Sequence, residues 1–198
     1  APRQPHFPPR VKSVIFLFMD GGPGQMDTFD PKPRLNLEHG QPLPFKEKSQ
    51  FLASGKVLGS PFKFSQHGQS GAWVSELFPH LAGCADDLCI VRSMYHDQVS
   101  HANGCYLMHT GHVLAGKPSL GAWVTYGLGT ENQNLPGFVA MCPGGYPISG
   151  TANWRSAFLP SVFQGTYIDT KKKKGDELVE CIRHPVLGEK VQREQFEL

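Results

Sequence analysis

The amino-acid sequence predicts an α/β fold, an α/β/α sandwich with a mostly parallel central sheet. Three observations lead to this prediction. Strand-like and helix-like segments alternate along the chain, the first strand-like segment is a nearly continuous apolar run, and polar or glycine-rich loops follow the strand-like segments. The 198 residues are enough to bury a hydrophobic core.

Three segments have the composition of strands. Residues 11–19 are rich in β-branched and aromatic side chains and end at a glycine-rich turn, which is typical of a central strand buried on both faces. Residues 88–93 and 137–142 are the second and third candidates. Two helical segments separate them, and this alternation predicts parallel pairing.

The helical segments are recognised by the spacing of their apolar residues. Residues 75–82 are predicted as a short helix with Ser75 as its N-cap. Residues 101–112 and 119–128 also have helical spacing. These two helices would pack against the sheet as crossovers between its strands.

The remaining segments are loop-like. Residues 1–10 are rich in proline and are expected to form an extended arm, and residues 31–70 are expected to form a loop-rich insertion. Residues 191–198 have a helical pattern with no stop signal. We therefore interpret residues 1–198 as the N-terminal part of one domain of a longer protein.

Composition excludes several classes of protein. The net charge is +2, from 19 Lys and Arg against 17 Asp and Glu, so nucleic acid and anionic membranes are not expected partners. The longest apolar run, residues 14–19, is too short to span a membrane. The five cysteines are odd in number and have no C-x-x-C spacing, so neither a zinc ribbon nor a complete disulfide framework is encoded.

Carboxylates follow the first predicted strand. Asp20, Asp27 and Asp30 lie within eleven residues, and ligands of parallel sheets bind beyond the carboxyl ends of the strands. Hard oxygen ligands at such a place suit a divalent cation. The alternative is a tight turn in which Asp27 or Asp30 caps the next segment.

Histidines are concentrated after the second predicted strand. Four of the nine, His96, His101, His109 and His112, lie within 17 residues. Imidazole is the commonest transition-metal ligand, so this cluster predicts a functional site. Individual histidines can instead be structural groups, or the cluster can hold zinc or iron for structure alone. The chain has neither H-E-x-x-H nor G-x-S-x-G spacing.

At these two clusters the sequence resembles the family catalogued as domain of unknown function 1501, whose bacterial members are often labelled sulfatase-like. The family is placed in the alkaline phosphatase/sulfatase superfamily. The residues that carry the resemblance extend over the whole chain, in segments 14–23, 27–33, 71–80, 92–94, 118–121, 126–129, 132–137, 158–160 and 164–166, with His101 and the pair Thr110-Gly111.

The resemblance implies metal-assisted hydrolysis of sulfate or phosphate esters, with a polysaccharide as a plausible substrate. It implies Asp20 as a metal ligand, with Asp27 and Asp30 as nearby candidates, and a zinc, calcium, magnesium or manganese ion. The position of the superfamily nucleophile, nine residues before Thr110, is occupied by His101 with Ser100 beside it.

The same resemblance suggests further roles. His96 and His109 would bind metal or ester oxygens, and Asn103 and His112 would contact substrate. Family members are commonly exported, which implies a periplasmic or secreted protein. The remaining superfamily metal ligands, an Asp-His pair and a further His, would lie beyond Leu198.

Two features depart from the superfamily pattern. No cysteine has an Arg four residues on, so no formylglycine is expected, and Gly24 stands where family members usually have Ser. These departures favour an alternative function, a non-catalytic protein that keeps the sulfatase-like fold and binds a glycan or a partner.

Overall fold

The computed structural model has a mixed α/β fold with two small two-stranded sheets, one antiparallel and one parallel. It describes residues 3–8, 10–44, 55–132, 134–172, 174–179, 186, 188 and 191. The chain divides into two compact units, a smaller one of residues 21–95 and a larger one that combines residues 1–20 with residues 96–198.

The helices and strands are short, and most residues lie in turns and loops. The smaller unit contains α1 (Gln25–Thr28), α2 (Pro33–Leu37), β1 (Phe64–His67), β2 (Ala72–Ser75) and α3 (Pro79–Ala82). The larger unit contains α4 (His101–Thr110), α5 (Leu120–Leu128), β3 (Val139–Met141) and β4 (Thr166–Ile168). Single 3-10 turns occur at Ala85–Asp87, Gly150–Trp154, Ser161–Phe163 and Gly175–Glu177.

The smaller unit is built around an antiparallel hairpin. β1 pairs with β2 so that Phe64 faces Ser75, and Val74 is almost completely buried. The Asp86 carboxylate accepts hydrogen bonds from the backbone N–H groups of Gln69 and Ser70, at 3.0 and 2.8 Å. These bonds lower the pKa of Asp86, so the charged carboxylate closes the hairpin turn.

A Gly68→Ala substitution is expected to destabilise this turn. Gly68 has φ +65°, and a Cβ there would clash with the Asp86 carboxyl group, with Cγ only 2.6 Å away. The left-handed backbone alone costs about 1–2 kcal/mol for a residue with a side chain. The displaced carboxylate adds to this cost, so we expect Tm to fall by roughly 2–4 °C for each kcal/mol lost.

The matched control is Gly71→Ala. Gly71 has a similar φ of +64°, but a Cβ there would meet only the Gln66 amide, at 3.5 Å. Thermal unfolding should therefore show a smaller loss of stability for this variant. Equal losses would contradict the role given to Asp86.

The larger unit places a parallel strand pair beside two helices. β3 and β4 are in register, with Val139 opposite Thr166. α5 begins after Ser119 and buries Ala122 completely. The described start of the N-terminal arm is attached to this helix, because the Arg3 N–H donates to the Leu128 carbonyl at 2.8 Å.

The structure confirms three of the predicted elements. Residues 101–110 form α4, residues 120–128 form α5, and the core of the third predicted strand forms β3. The predicted helix at residues 75–82 is displaced. Ser75 ends β2 instead of capping a helix, and α3 begins only at Pro79.

The predictions of strands at residues 11–19 and 88–93 are wrong. Neither segment has strand pairing, and Ile15 and Leu17 are 83% and 88% exposed. A strand needs a neighbour that supplies its ladder hydrogen bonds, and in the part of the chain that the structure describes no segment pairs with either one. An apolar, β-branched composition indicates a preference for burial, but it does not provide the partner.

The predictions for two other segments are only partly covered by the described residues. The insertion at residues 31–70 contains α2 and β1, and its residues 45–54 lie outside the described part. Of the helical pattern predicted at residues 191–198, only Val191 is described. Within the described residues, no helix has the length and apolar character needed to cross a membrane.

Candidate functional site

The candidate site of the larger unit lies where α4 meets the segment that precedes Asp20. The imidazole ring of His109 packs against two aromatic rings of this segment, with centroid distances of 5.4 Å to Phe16 and 4.4 Å to Phe18. The rings of Phe16 and Phe18 lie on the same side of the segment, with centroids 6.3 Å apart. Phe16 is still 46% exposed, but Ile15 and Leu17 are 83% and 88% exposed. The apolar segment therefore presents one row of side chains to α4.

His109 carries an unusual buried nitrogen. Its Nε2 is inaccessible to solvent and has no hydrogen-bond partner. Burial lowers the pKa of His109, and the charge of Asp20 opposes this effect. The imidazole is consequently neutral at pH 7, which is the state that binds metal ions or accepts a proton. A buried polar atom without a partner requires an explanation, and a bound ligand is one.

Cys105 lies one turn before His109 and is buried. Its Sγ–H donates to the Asn153 Oδ1 at 3.3 Å and to the Ile148 carbonyl at 3.5 Å. Burial raises the pKa of the Cys105 thiol, and the charge of Asp20 raises it further. The sequence interpretation missed this residue. The i,i+4 spacing of Cys105 and His109 in a predicted helix is the signal that could have found it.

Asp20 is the charged group of this cluster. It is exposed at the end of the apolar segment, and its charge acts on both Cys105 and His109. Asp20 is thus the carboxylate whose charge influences an imidazole and a thiol of α4.

The residues of the predicted nucleophile position lie at the start of α4. Ser100 is the N-cap residue and its side chain makes no capping hydrogen bond, while His101 is the first helical residue and is exposed. Because His101 precedes Cys105 by four residues, the two side chains lie on one side of the helix. Asn103 is half-buried on the same turn.

His96 and His112 have a different arrangement. Their Nδ1 atoms accept backbone N–H groups, from Gln98 and Leu114 respectively, both at 3.1 Å. A neutral imidazole whose Nδ1 is an acceptor carries its proton on Nε2. Metal binding through Nε2 requires the proton on Nδ1, so His96 would have to give up this backbone hydrogen bond to become a ligand. His112 Nδ1 also lies 3.4 Å from the Leu114 carbonyl and can donate to it in the tautomer that leaves Nε2 free.

The other two carboxylates belong to the smaller unit. Asp30 forms ion pairs with Lys32 at 2.6 Å and Arg92 at 3.4 Å, and the hydrogen bond from Lys32 is the main cause of its lowered pKa. Asp27 is half-buried in α1 and lines a cavity of about 100 Å³. Neither carboxylate caps a helix, because the N-cap residues of α1 and α2 are Gly24 and Lys32.

The side chains that could bind a metal ion are distributed rather than convergent. In the described ranges, no group of three His, Cys, Asp or Glu side chains is placed to hold an ion. The pair formed by Asp20 and His109 offers one oxygen and one nitrogen donor. Asp27 and Asp30 belong to the smaller unit.

Comparisons with known proteins identify a family but no function. No curated protein and no solved structure matches the chain. A family model described as "Protein of unknown function (DUF1501)" matches residues 11–198, which is nearly the whole chain. The chain therefore belongs to the DUF1501 family.

Proposed function

We propose that the protein is a metal-dependent hydrolase of sulfate or phosphate esters, with the sulfatase-like fold of the alkaline phosphatase superfamily. The observation that carries this proposal is the buried, unpartnered Nε2 of His109, whose ring is influenced by the negative charge of Asp20. A metal ion bound there would satisfy the nitrogen and be attracted by the carboxylate. The parallel pairing of β3 and β4 supports the fold.

Asp20 and His109 are the residues that would hold the ion. A bound divalent ion supplies Lewis-acid stabilisation of an ester oxygen and lowers the pKa of a coordinated water. A mixed oxygen and nitrogen donor pair suits zinc or manganese better than calcium or magnesium, which prefer oxygen ligands. His96, Asp27 and Asp30 remain predicted ligands, and Asp30 would first have to release Lys32.

The start of α4 would bind the ester. His101 and Ser100 occupy the predicted nucleophile position, and both are accessible to a substrate. The partial positive charge of a helix N-terminus favours the negative oxygens of a sulfate or phosphate group. Asn103 and His112 are the proposed substrate contacts. A glycan ester and a periplasmic or secreted location remain part of the proposal, on the basis of the resemblance alone.

Elemental analysis of the protein purified without chelator tests the metal. We expect one equivalent of zinc, manganese, calcium or magnesium, and a large reduction of this content in Asp20→Asn and His109→Gln. The matched control is His80→Gln, since His80 is exposed in the smaller unit. Its metal content should equal that of the unmodified protein. A folded protein that contains no metal would contradict the hydrolase proposal.

A non-catalytic glycan- or partner-binding protein is the second candidate. The observation that favours it is the double ion pair of Asp30, which already neutralises that carboxylate with Lys32 and Arg92. Gly24, which lacks the side chain usual at that position, favours it as well. Ligand binding without turnover of any aryl sulfate or aryl phosphate would support this second function.

A further inference from the structure

A second concave surface lies in the larger unit, apart from the residues of the candidate site. It is an open groove of about 720 Å³ between the turn at Gly150–Trp154 and β4. We name it the aromatic groove and define it by Tyr146, Trp154, Arg155, Gln164 and Tyr167, which line it.

Three aromatic rings form a platform in this groove. Tyr146 and Trp154 are stacked at 5.9 Å, Trp154 and Tyr167 are stacked at 5.8 Å, and Tyr146 and Tyr167 are tilted at 5.1 Å. Trp154 is only 6% exposed and anchors the platform, whereas Tyr146 is 53% exposed. The outer ring is therefore held in place while part of its surface remains free to contact a ligand.

The backbone that carries the platform is held rigidly. The buried Asn153 side chain donates to the carbonyls of Ile148 and Gly150 at 2.8 and 3.0 Å. The Gly165 N–H donates to the Trp154 carbonyl at 3.0 Å. A Cβ at Gly165 would lie only 3.0 Å from the Trp154 Cβ, so the two segments are packed as closely as their backbones permit.

Backbone strain is also concentrated here. Ser149 and Ala157 have φ of +74° and +51°, and they are the two non-glycine residues with positive φ in the described part of the chain. Ala157 lines the groove, and Ser149 directly precedes the turn at Gly150–Trp154. Strained residues of this kind are found preferentially at ligand sites, where the surrounding structure enforces them.

The polar side chains of the groove determine which charges and hydrogen-bonding groups a ligand would meet. The Arg155 guanidinium is exposed, and its Nη2 makes a long contact of 3.4 Å with the Thr151 hydroxyl. Gln164 and several hydroxyl groups share the groove, and none of the described lining side chains is acidic. The groove thus combines an exposed aromatic face, uncharged hydrogen-bonding groups and one cation.

We propose that the aromatic groove binds a sugar ring that carries an anionic substituent. A pyranose has one apolar face that can stack on Tyr146 and a rim of hydroxyl groups that can bond Gln164 and its neighbours. A sulfate, phosphate or carboxylate on the ring would pair with Arg155. The side chains that line the groove do not include Asp20 or His109, so binding there can be tested without hydrolysis. Asn153, which holds the backbone of the platform, also accepts the hydrogen bond of Cys105.

Isothermal titration with a chondroitin 4-sulfate tetrasaccharide tests the proposal, in buffer with EDTA so that no metal contributes. Arg155→Gln should weaken binding about tenfold or more, since a hydrogen bond to a charged group is lost. Tyr146→Ala should weaken it about 3–10-fold. Tyr146→Phe keeps the ring and should bind like the unmodified protein. Tyr95→Ala, which removes an 88% exposed ring in the smaller unit, should have no effect.

Several outcomes would overturn the proposal. One is unchanged affinity in a folded Arg155→Gln variant, and another is equal affinity for the desulfated tetrasaccharide. Complete competition by sodium sulfate at the same concentration would indicate an anion site without sugar recognition. Tighter binding of a single-stranded oligonucleotide would assign the platform to bases. Should Tyr146→Ala fail to fold, the Arg155→Gln variant and the comparison with sodium sulfate and the desulfated tetrasaccharide decide the question.

Discussion

Replacing Asp20 by Asn is expected to lower the turnover of aryl sulfates or aryl phosphates about 10²–10³-fold, which is the usual effect of removing one preorganised electrostatic group. The substitution keeps the size of the side chain and removes its charge. If Asp20 attracts the catalytic ion, both metal content and activity should fall while the fold is retained. Steady-state kinetics and far-UV circular dichroism measure the two consequences.

The same variant has a readout that does not depend on activity. The charge of Asp20 raises the pKa of His109 and also raises the pKa of Cys105. In Asp20→Asn both pKa values should therefore move down together. Two NMR titrations in metal-free protein, one of the His109 ring and one of Cys105 labelled with ¹³C at Cβ, would detect the two shifts without requiring a reagent to reach the buried thiol.

Asp97→Asn is the matched control for Asp20→Asn. Asp97 is an exposed carboxylate of the larger unit, so its loss changes the net charge equally but leaves the field at His109 and Cys105 nearly unchanged. If the two variants have the same turnover and the same pKa values, Asp20 has no special place in the site. If the pKa values shift but turnover does not, the geometry is correct and the hydrolase proposal is wrong.

The two helices that build the larger unit could be predicted because their determinants are local. α4 has the helical spacing that predicted it, although it ends at Thr110, before Gly111 with φ +72° and two residues short of the predicted end. α5 similarly begins after Ser119 and ends before Gly129. Capping and periodicity are properties of neighbouring residues, so no knowledge of distant contacts is needed.

The apolar segment before Asp20 could not be predicted in the same way. Its composition indicates burial on both faces, yet the structure packs one row, including Phe16 and Phe18, against His109 and leaves Ile15 and Leu17 exposed. Composition reports what a segment prefers to bury. Composition does not indicate which other segment packs against it, because strand pairing depends on residues that are distant in the sequence.

For the candidate site, too, the sequence predicts residue types and local segments but not the contacts between distant residues. The acidic loop after residue 19 and the histidine-rich segment predicted Asp20 and His109 among several candidates, and their roles stay predictions. The sequence did not distinguish His109, with its buried nitrogen, from His96 and His112, whose Nδ1 atoms accept backbone N–H groups. It also gave no indication that Asp30 would be paired with two cations. These differences depend on hydrogen-bond geometry rather than on residue type.

A loss of stability is also expected from Gly121→Ala in α5. A Cβ at Gly121 would lie 2.5 Å from Cδ2 and Cε2 of Phe138. The Phe138 ring cannot move away freely, because the Gly165 backbone packs closely against its other edge. A Cβ built on Gly165 would be only 2.9 Å from Phe138 Cε1. The ring is held between two backbones, so the extra methyl group overpacks the core. Such overpacking costs about 1–3 kcal/mol.

Gly127→Ala in the same helix separates this packing effect from helix propensity. A Cβ at Gly127 would meet no atom within 4 Å. Alanine is favoured over glycine by about 0.8–1.0 kcal/mol in a helix interior, and we expect a smaller gain at Gly127, the second-last residue of α5. Thermal unfolding should therefore move in opposite directions for the two variants, down for Gly121→Ala and up for Gly127→Ala. Two increases would show that α5 does not approach Phe138 as closely as the structure has it, because only close packing opposes the intrinsic preference for alanine.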